Sequence, residues 1–343
     1  MATEDLLDAA RGGDESAFES LIAAHRGELQ AHCYRMLGSI QDAEDAVQEA
    51  LLRAWRGIGQ FEGRSSLRSW LYRIATNTSL RLIERRPARV LPIDHGPQID
   101  AHGDPGAPMV ETTWIEPYPD ERVEAMGGPP SPEARYELRE SVELAFTAAL
   151  QHLPPLQRAA LILTDVLGFA PGEVAETLDA SPASIYSALQ RARKAADERL
   201  PERSQQETLR TLGDDAVREI VGRFVQAWEG HDVDAIRAML TEDALLAMPP
   251  HAAWVRGAAA VSEFLGLRPL RSERVWKLVP VGANGQVALA TYGADGSAPL
   301  RGEGIMLLSL TVGGRISEMV AFRDRALMPF FGLAMDWGVS PDH

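Results

Sequence analysis

Ten of the chain's 22 prolines stand between Pro87 and Pro132, at 87, 92, 97, 105, 108, 117, 119, 129, 130 and 132. Each fixes φ and removes a backbone donor, so neither a long helix nor a central strand can cross this stretch. The 343 residues are therefore parted into blocks on either side of it. A segment this long is no ordinary connection within a domain; it stays flexible or lies along another surface. Apolar residues at 45% supply several cores, and charged residues at 24% exclude wholesale disorder.

The net charge of -15 argues against nucleic acid until its distribution is read. Nine arginines from Arg53 to Arg89 face only Glu62 and Glu84, a local +7. Residues 90–132 carry Arg122 against eight acids (Asp94, Asp100, Asp104, Glu111, Glu116, Asp120, Glu121 and Glu124), a local -7. The basic block is a candidate for phosphate contacts. The one cysteine, Cys33, has no partner for a disulfide or a multi-cysteine metal site, and its apolar-periodic setting reads as core packing. No apolar run is long enough to cross a bilayer, and Met1-Ala2-Thr3-Glu4-Asp5 is acidic where a signal peptide is basic. A cytoplasmic location without membrane contact is expected.

Residues 4–89 carry apolar residues at three- and four-residue spacing and no strand alternation. Ser39 with Asp42 marks the start of a helix running to about Trp55. A loop, Gly57 to Ser66, precedes a helix with Leu67, Trp70, Leu71, Ile74, Ala75, Thr78 and Leu82 inward and Arg68, Arg73, Asn77 and Arg81 elsewhere. Its Trp70 and Tyr72 either stack with bases along a single strand or belong to the core. A second helical block begins at Pro132, with Leu138, Val142, Ala145, Phe146, Ala149 and Leu150 in period, and Pro154-Pro155 opens Leu156 to Leu167.

Pro171 to Lys194 has helix-turn-helix arithmetic: Val174, Ala175 and Leu178 inward, a turn at Asp179-Ala180, then Ile185, Ala188, Leu189 and Ala192 inward. Ser184, Tyr186, Ser187, Gln190, Arg191, Arg193 and Lys194 face out. They read a major groove, or they are the solvated face of an ordinary hairpin. Likewise Asp42, Asp45 and Glu49 form an acidic helix face that either meets a basic helix or is simply solvated. Beyond Pro201, helices at Asp214–Trp228 and Val233–Leu240 precede strand-like runs Val275–Val281, Gln286–Tyr292, Gly304–Thr311 and Arg315–Phe322. An antiparallel meander after helices implies a curved sheet around an apolar pocket.

Tyr34 to Glu49 (YRMLGSIQDAEDAVQE) and Ser66 to Asn77 (SLRSWLYRIATN) resemble region 2 of the extracytoplasmic-function sigma factors of bacterial RNA polymerase. Leu153-Pro154-Pro155-Leu156-Gln157-Arg158 through Ser184-Ile185-Tyr186-Ser187-Ala188-Leu189-Gln190-Arg191-Ala192-Arg193 is similar to region 4. The stretch from Asp214, with Phe224-Val225-Gln226-Ala227-Trp228 and Val233-Asp234-Ala235-Ile236, looks like a SnoaL-like domain of the NTF2 superfamily. Trp114-Ile115-Glu116-Pro117-Tyr118-Pro119-Asp120 resembles a linker segment of sigma factors that carry such a domain; its plainer reading is a polyproline-type spacer.

The resemblance implies that Asp42, Glu44, Asp45, Gln48 and Glu49 dock on the polymerase clamp helices. It implies that Phe61, Arg64, Ser65, Arg73 and Asn77 melt the minus-ten element and hold a flipped base, and that Ser184, Tyr186, Ser187, Gln190 and Arg191 sit in the minus-35 groove. Family members often carry Lys or Arg where this chain has Tyr186 and Ala188, so minus-35 contacts are expected to be weaker or differently specific. The acidic linker, with Trp114, Glu116, Tyr118 and Asp120, would thread the positively charged polymerase channel.

The expectation is a multidomain chain: two all-α domains, 1–89 and 133–201, joined by the linker 90–132, then a short linker 202–213 and a cone-shaped α+β domain, 214–343. It would act as a transcription initiation factor, monomeric when free, with core RNA polymerase and promoter DNA as partners and a small-molecule ligand conceivable in the C-terminal pocket. The sequence holds no P-loop, dinucleotide fingerprint or zinc spacing, so no cofactor, metal or catalytic set is expected; His231, Asp232, Asp243, His251 and Glu303 read as surface or capping residues. The alternative is a SnoaL-type enzyme or ligand sensor fused to a helix-turn-helix.

Overall fold

The computed structural model describes residues 3–86, 88–109, 114–124 and 139–338. The expected helix start near Pro132, with Leu138, lies outside them. Two compact units result: Met1–Arg89 with Asp120–Pro201, and Val90–Pro119 with Glu202–His343.

In the first unit α1 (Thr3–Arg11), α2 (Glu15–Leu37), α3 (Ile40–Gly57) and α4 (Leu67–Ile83) form one helical block. Their ends follow local chemistry. Asp14 accepts from Ser16 N and Ala17 N, Ser39 from Asp42 N, and Ser66 from Ser69 N. Gly38, at φ 69°, closes α2 in the left-handed conformation. The second half of α2 is buried on every face, from Leu29 through Ala31 to Leu37. Such a helix lies at the centre of its unit rather than on its surface, and there Cys33 is fully buried with its thiol pushed up to about 12 by burial.

The second helical block comprises α5 (Leu144–Gln151), α6 (Pro155–Leu161) continued by a wide turn Ile162–Val166, α7 (Pro171–Thr177) and α8 (Pro182–Asp197). The helical run expected from Leu138 to Leu150 is interrupted: residues 139–140 are helical, a turn follows at 141–142, and α5 starts at Leu144. This block packs on the first one. Arg158, 3% exposed, donates to Met36 O (2.5 Å), Gln151 Oε1 (2.7 Å) and the carbonyls of Gln151 and Leu153. Arg35, 1% exposed, donates to Ser141 O (2.9 Å) and Ser141 Oγ (2.6 Å). These bonds make two buried guanidinium groups tolerable, though Arg158 Nε is left buried without a partner, and burial lowers the Arg158 pKa to about 10.

The packing changes the inward face of α4. Tyr72, Thr76 and Ser79 are buried, whereas Trp70, Ile74 and Leu82 are half-buried. The helix meets α2 and α3 on one side and the second block on another. Tyr72 lies edge-on to His32 (5.1 Å) and to Phe169 (5.3 Å), and Arg68 stacks over the rings of Tyr72 and Phe169. Tyr72 is thus a core residue.

In the second unit α9 (Gln205–Leu212), α10 (Asp214–Glu229), α11 (Val233–Met239) and α12 (Ala258–Leu267) accompany a six-stranded sheet ordered β2-β1-β6-β5-β4-β3. The strands are β1 (Leu240–Ala247), β2 (Trp254–Arg256), β3 (Arg274–Ala283), β4 (Gln286–Asp295), β5 (Arg301–Leu310) and β6 (Ile316–Phe322). β3 to β6 form the expected antiparallel meander; β1 joins β6 in parallel. The sequence pattern missed β1 because its register shifts between Leu240 and Leu245, which breaks the two-residue alternation. Gly304, at φ 147°, lets β5 pass where a Cβ would lie 1.9 Å from Phe322 O. The stretch expected as a short linker holds α9 instead. Gln205 donates to Leu310 O (3.0 Å) and accepts from Leu310 N (2.8 Å), stitching α9 to β5.

Residues 90–119 belong to this second unit. Ile99 N donates to Trp254 O (2.9 Å), Met109 N to Pro250 O (2.8 Å) and Asn284 N to Tyr118 O (2.8 Å). Trp114 and Tyr118 are 8% and 0% exposed. Proline-rich backbone with few donors suits such a strap, which borrows partners from a preformed sheet.

Candidate functional site

α3 presents its acids unequally. Ala43, Ala46, Val47 and Ala50 are buried, which turns Asp45, Gln48 and Glu49 to solvent. Glu49 holds Arg53 one turn on (2.6 Å), and Glu44, half-buried, takes Arg122 (2.6 Å). Asp42 departs from the expected docking face: it is 6% exposed, bridged to Arg86 and, at 2.5 Å, to Arg89. It closes the first block's own C-terminal end.

The basic surface follows α4 and the loop before it. Arg73, Asn77 and Arg81 recur every four residues and so share one stripe; Arg73 and Arg81 are exposed and Asn77 half-buried. Arg64, 85% exposed beside Glu62 (2.8 Å), and Ser65 stand in the loop. Phe61 departs from the expectation of a surface contact. It is 8% exposed, packed at 5.0 Å on Trp70 with Arg11 over its ring, and anchors the loop from inside. Beneath this surface Glu28 accepts from His25 (2.6 Å), Arg68 (2.8 Å) and the Tyr72 hydroxyl (3.1 Å). Burial pushes its carboxyl up, but the His25 and Arg68 hydrogen bonds prevail and hold it below the ordinary range.

The third surface is α8. Asp179, at φ 51°, makes the turn after α7, and Ser181 caps α8 by accepting from Ser184 N. Ile185, Ala188, Leu189 and Ala192 are buried, which leaves Ser184, Tyr186, Ser187, Gln190 and Arg191 exposed along one helix, Tyr186 at 60%. This is the arrangement that lets a helix read base edges from its N-terminal half. Arg193 is otherwise engaged, in a two-pronged pair with Asp165 (2.8 and 2.7 Å). That pairing was not legible in the sequence.

Trp114, Glu116, Tyr118 and Asp120 do not form one surface. Trp114 donates to Met109 O (3.0 Å) and stacks edge-on with His95 (5.8 Å), Tyr118 is buried against Asn284, and Glu116 and Asp120 are half-buried.

The second unit encloses a cavity of about 320 Å³, walled by Trp228, Phe264, Trp276 and Met306 among others. His251 and Glu303, far apart in sequence, both line it. Glu303 is paired with Arg274 (2.5 Å) and Arg323 (3.5 Å), and His251 Nδ1 lies 3.0 Å from Gly106 O. Burial lowers the His251 pKa. Asp232 caps α11 through Ala235 N (2.9 Å), and Asp243 is exposed. Among the described residues no group of three or more His, Cys, Asp or Glu side chains could hold a metal ion, and no helix is long and apolar enough to cross a membrane.

Comparison with known proteins matches each part. Sigma-70 region 2 covers residues 21–88, sigma-70 region 4 covers 143–195 and the SnoaL-like domain covers 221–319. The ECF RNA polymerase sigma factor SigG of Mycobacterium tuberculosis is 41% identical over 327 residues, 94% of this chain and 85% of that protein. The sigma-E factor of Escherichia coli is 27% identical over 58% of this chain and 95% of its own. The crystal structure of the M. tuberculosis sigma factor SigJ shares the fold, with a TM-score of 0.55 at 24% identity over 92% of this chain and 99% of that one. Two helical blocks matched by sigma-70 regions 2 and 4, a curved mixed sheet after them, and identity sustained across nearly the full length agree: the chain belongs to the extracytoplasmic-function (ECF) RNA polymerase sigma factors.

Proposed function

We propose that the chain binds core RNA polymerase through Asp45, Gln48 and Glu49, flanked by Glu44, and that Arg64, Ser65, Arg73 and Asn77 engage the minus-ten element. Ser184, Tyr186, Ser187, Gln190 and Arg191 take the minus-35 groove. Acids on a rigid helix face suit a basic partner, and the arginine stripe suits phosphates.

The free form is then a closed one. Elements some 25 base pairs apart lie roughly 85 Å from each other at ~3.4 Å per base pair. A compact body the size of the first unit measures about 40 Å across. The two blocks, joined through Arg35, Ser141, Gln151 and Arg158, would have to part for both elements to be read at once.

The C-terminal domain governs this opening through the linker. The observation that carries the reading is the strap of residues 90–119, which joins the two blocks in sequence yet is bonded into the C-terminal unit at Ile99, Met109 and Tyr118. A linker held there is withheld from the polymerase channel. The test is transcription by purified core polymerase on a promoter library, with the full chain and with a truncation after Arg203. Initiation from one promoter class by both, at different strength, supports the reading. Absence of both core binding and initiation defeats it, and equal output from the two defeats the regulatory role.

A further inference from the structure

The cavity of the second unit is lined by both aromatic residues and arginines. Its floor is apolar and aromatic: Trp228 and Trp276 meet edge-on at 5.9 Å, with Phe264, Ile305 and Met306 beside them. Arg268, Arg271, Arg274 and Arg323 line it too, Arg274 lying over the Trp276 ring at 4.6 Å. Against these four stand Glu303 in the wall and Asp295 beside it, and both are shared: Asp295 lies 3.2 Å from Arg271 and from Arg274, and Glu303 pairs with Arg274 and Arg323. The local balance is positive by two. Arg271 and Arg323 are about half exposed, at 56% and 48%, so their guanidinium groups can turn toward an incoming anion.

One wall belongs to the linker. Pro105 lines the cavity, and the loop around it is held by two residues that line it as well. Arg268 donates to Ala101 O (2.8 Å) and Gly103 O (2.7 Å), and His251 lies 3.0 Å from Gly106 O. Among the described residues no carboxylate pairs with Arg268; carbonyls of the strap take its hydrogen bonds, and the Phe264 ring lies beneath it at 4.5 Å.

We infer that this cavity binds a small amphipathic anion, an apolar chain or ring system ending in one carboxylate or sulfonate, and that its occupancy changes how firmly the loop 100–106 is held. The apolar body replaces water over the indoles, and the head sits among Arg271, Arg323 and Arg268. A head that draws Arg268 away from Ala101 and Gly103 loosens the strap at the point where the linker meets the cavity. An uncharged or cationic molecule of the same size gains nothing from the arginines. The coupling to transcription, though not the binding, rests on the sigma reading above.

The test uses the full chain and 8-anilinonaphthalene-1-sulfonate as a fluorescent probe, with decanoate, decanol and decylamine as competitors. The expected result is one saturable site from which decanoate displaces the probe and decylamine does not. Arg271→Gln with Arg323→Gln should weaken decanoate about tenfold, the loss of one charge-assisted contact or more. Ile305→Trp should abolish saturable binding while thermal unfolding shows a folded protein; should it fail to fold, Met306→Phe replaces it. Hydrogen exchange at 100–106 should rise on saturation with decanoate.

No saturable probe binding, equal displacement by decylamine, or binding indifferent to both the arginine and the cavity-filling changes overturns the site. Unchanged exchange at 100–106 under saturation overturns the coupling. These readouts need no polymerase, so their failure is distinct from a failure to initiate transcription.

Discussion

Tyr118 and Asn284 exchange two hydrogen bonds across 166 positions: Tyr118 N donates to Asn284 Oδ1 at 2.8 Å, and Asn284 N donates to Tyr118 O at 2.8 Å. Asn284 stands at φ 54° in the turn between β3 and β4, a conformation that asparagine tolerates better than most residues. The turn therefore presents both its backbone donor and its side-chain acceptor to the linker.

Replacing Asn284 separates these contributions. Asn284→Gly keeps the left-handed backbone and loses only the side-chain acceptor, whereas Asn284→Ala also strains the turn. Costs of about 1 kcal/mol and about 2 kcal/mol respectively are expected in denaturant unfolding. Limited proteolysis should cut residues 100–119 faster in both, with Ala the faster; equal protection in all three forms would show that this contact does not hold the strap.

The acidic residues of α3 divide by burial. Asp45→Lys with Glu49→Lys should abolish core polymerase binding at unchanged melting temperature, because both carboxylates face solvent. Asp42→Ala should instead cost about 3 kcal/mol of stability, since it removes the buried carboxylate that pairs with Arg86 and with the nearly buried Arg89. A melting scan beside a pull-down of core enzyme distinguishes them, and a reversed pattern would falsify the division.

On α8, Arg191 is exposed and Arg193 is committed to Asp165. Arg191→Ala should weaken minus-35 binding and lower the salt slope of affinity by about one. Arg193→Ala should change that slope little. Titrations of promoter DNA at several salt concentrations measure both, and a larger slope change for Arg193 contradicts the assignment.

His32 makes the helical unit sensitive to acid. Burial, helped by the charges of Arg35 and Arg68, lowers its pKa to about 3 from 6.5, while its Nε2 bonds the Thr76 hydroxyl at 2.8 Å. Between those values the unfolded chain binds the extra proton and the folded one does not, so stability rises with pH in this window and is lost as pH falls. Each unit costs about 1.4 kcal/mol. Wild type should lose roughly 2 kcal/mol more than His32→Gln between pH 6.5 and 4.5; parallel curves from urea unfolding would remove His32 as the cause.

The helices of both blocks and the helix-turn-helix were legible because their determinants are local. Ser39 caps the helix it was expected to start, Ser66 and Ser181 cap theirs by the same local chemistry, and Ile185, Ala188, Leu189 and Ala192 repeat with the helical period. Exposure of the five α8 residues follows from that period alone. The fate of Asp42 and Phe61 does not: both sit where the pattern allows exposure, and Arg86, Arg89, Trp70 and Arg11 close over them from elsewhere in the chain.

By itself the sequence determined the helical character of the blocks on either side of the proline-rich break, the break itself and the meander from β3 to β6, since periodicity, capping and backbone restriction act over a few residues, while its motifs carried the resemblance to the family. Only the tertiary structure decided that the break is bonded into the C-terminal sheet, that α4 is buried on two sides, and that His251, Glu303 and four arginines line one cavity. Those outcomes depend on which faces find each other across 100 or more positions, and on a buried polar group's need for a partner wherever the fold supplies one.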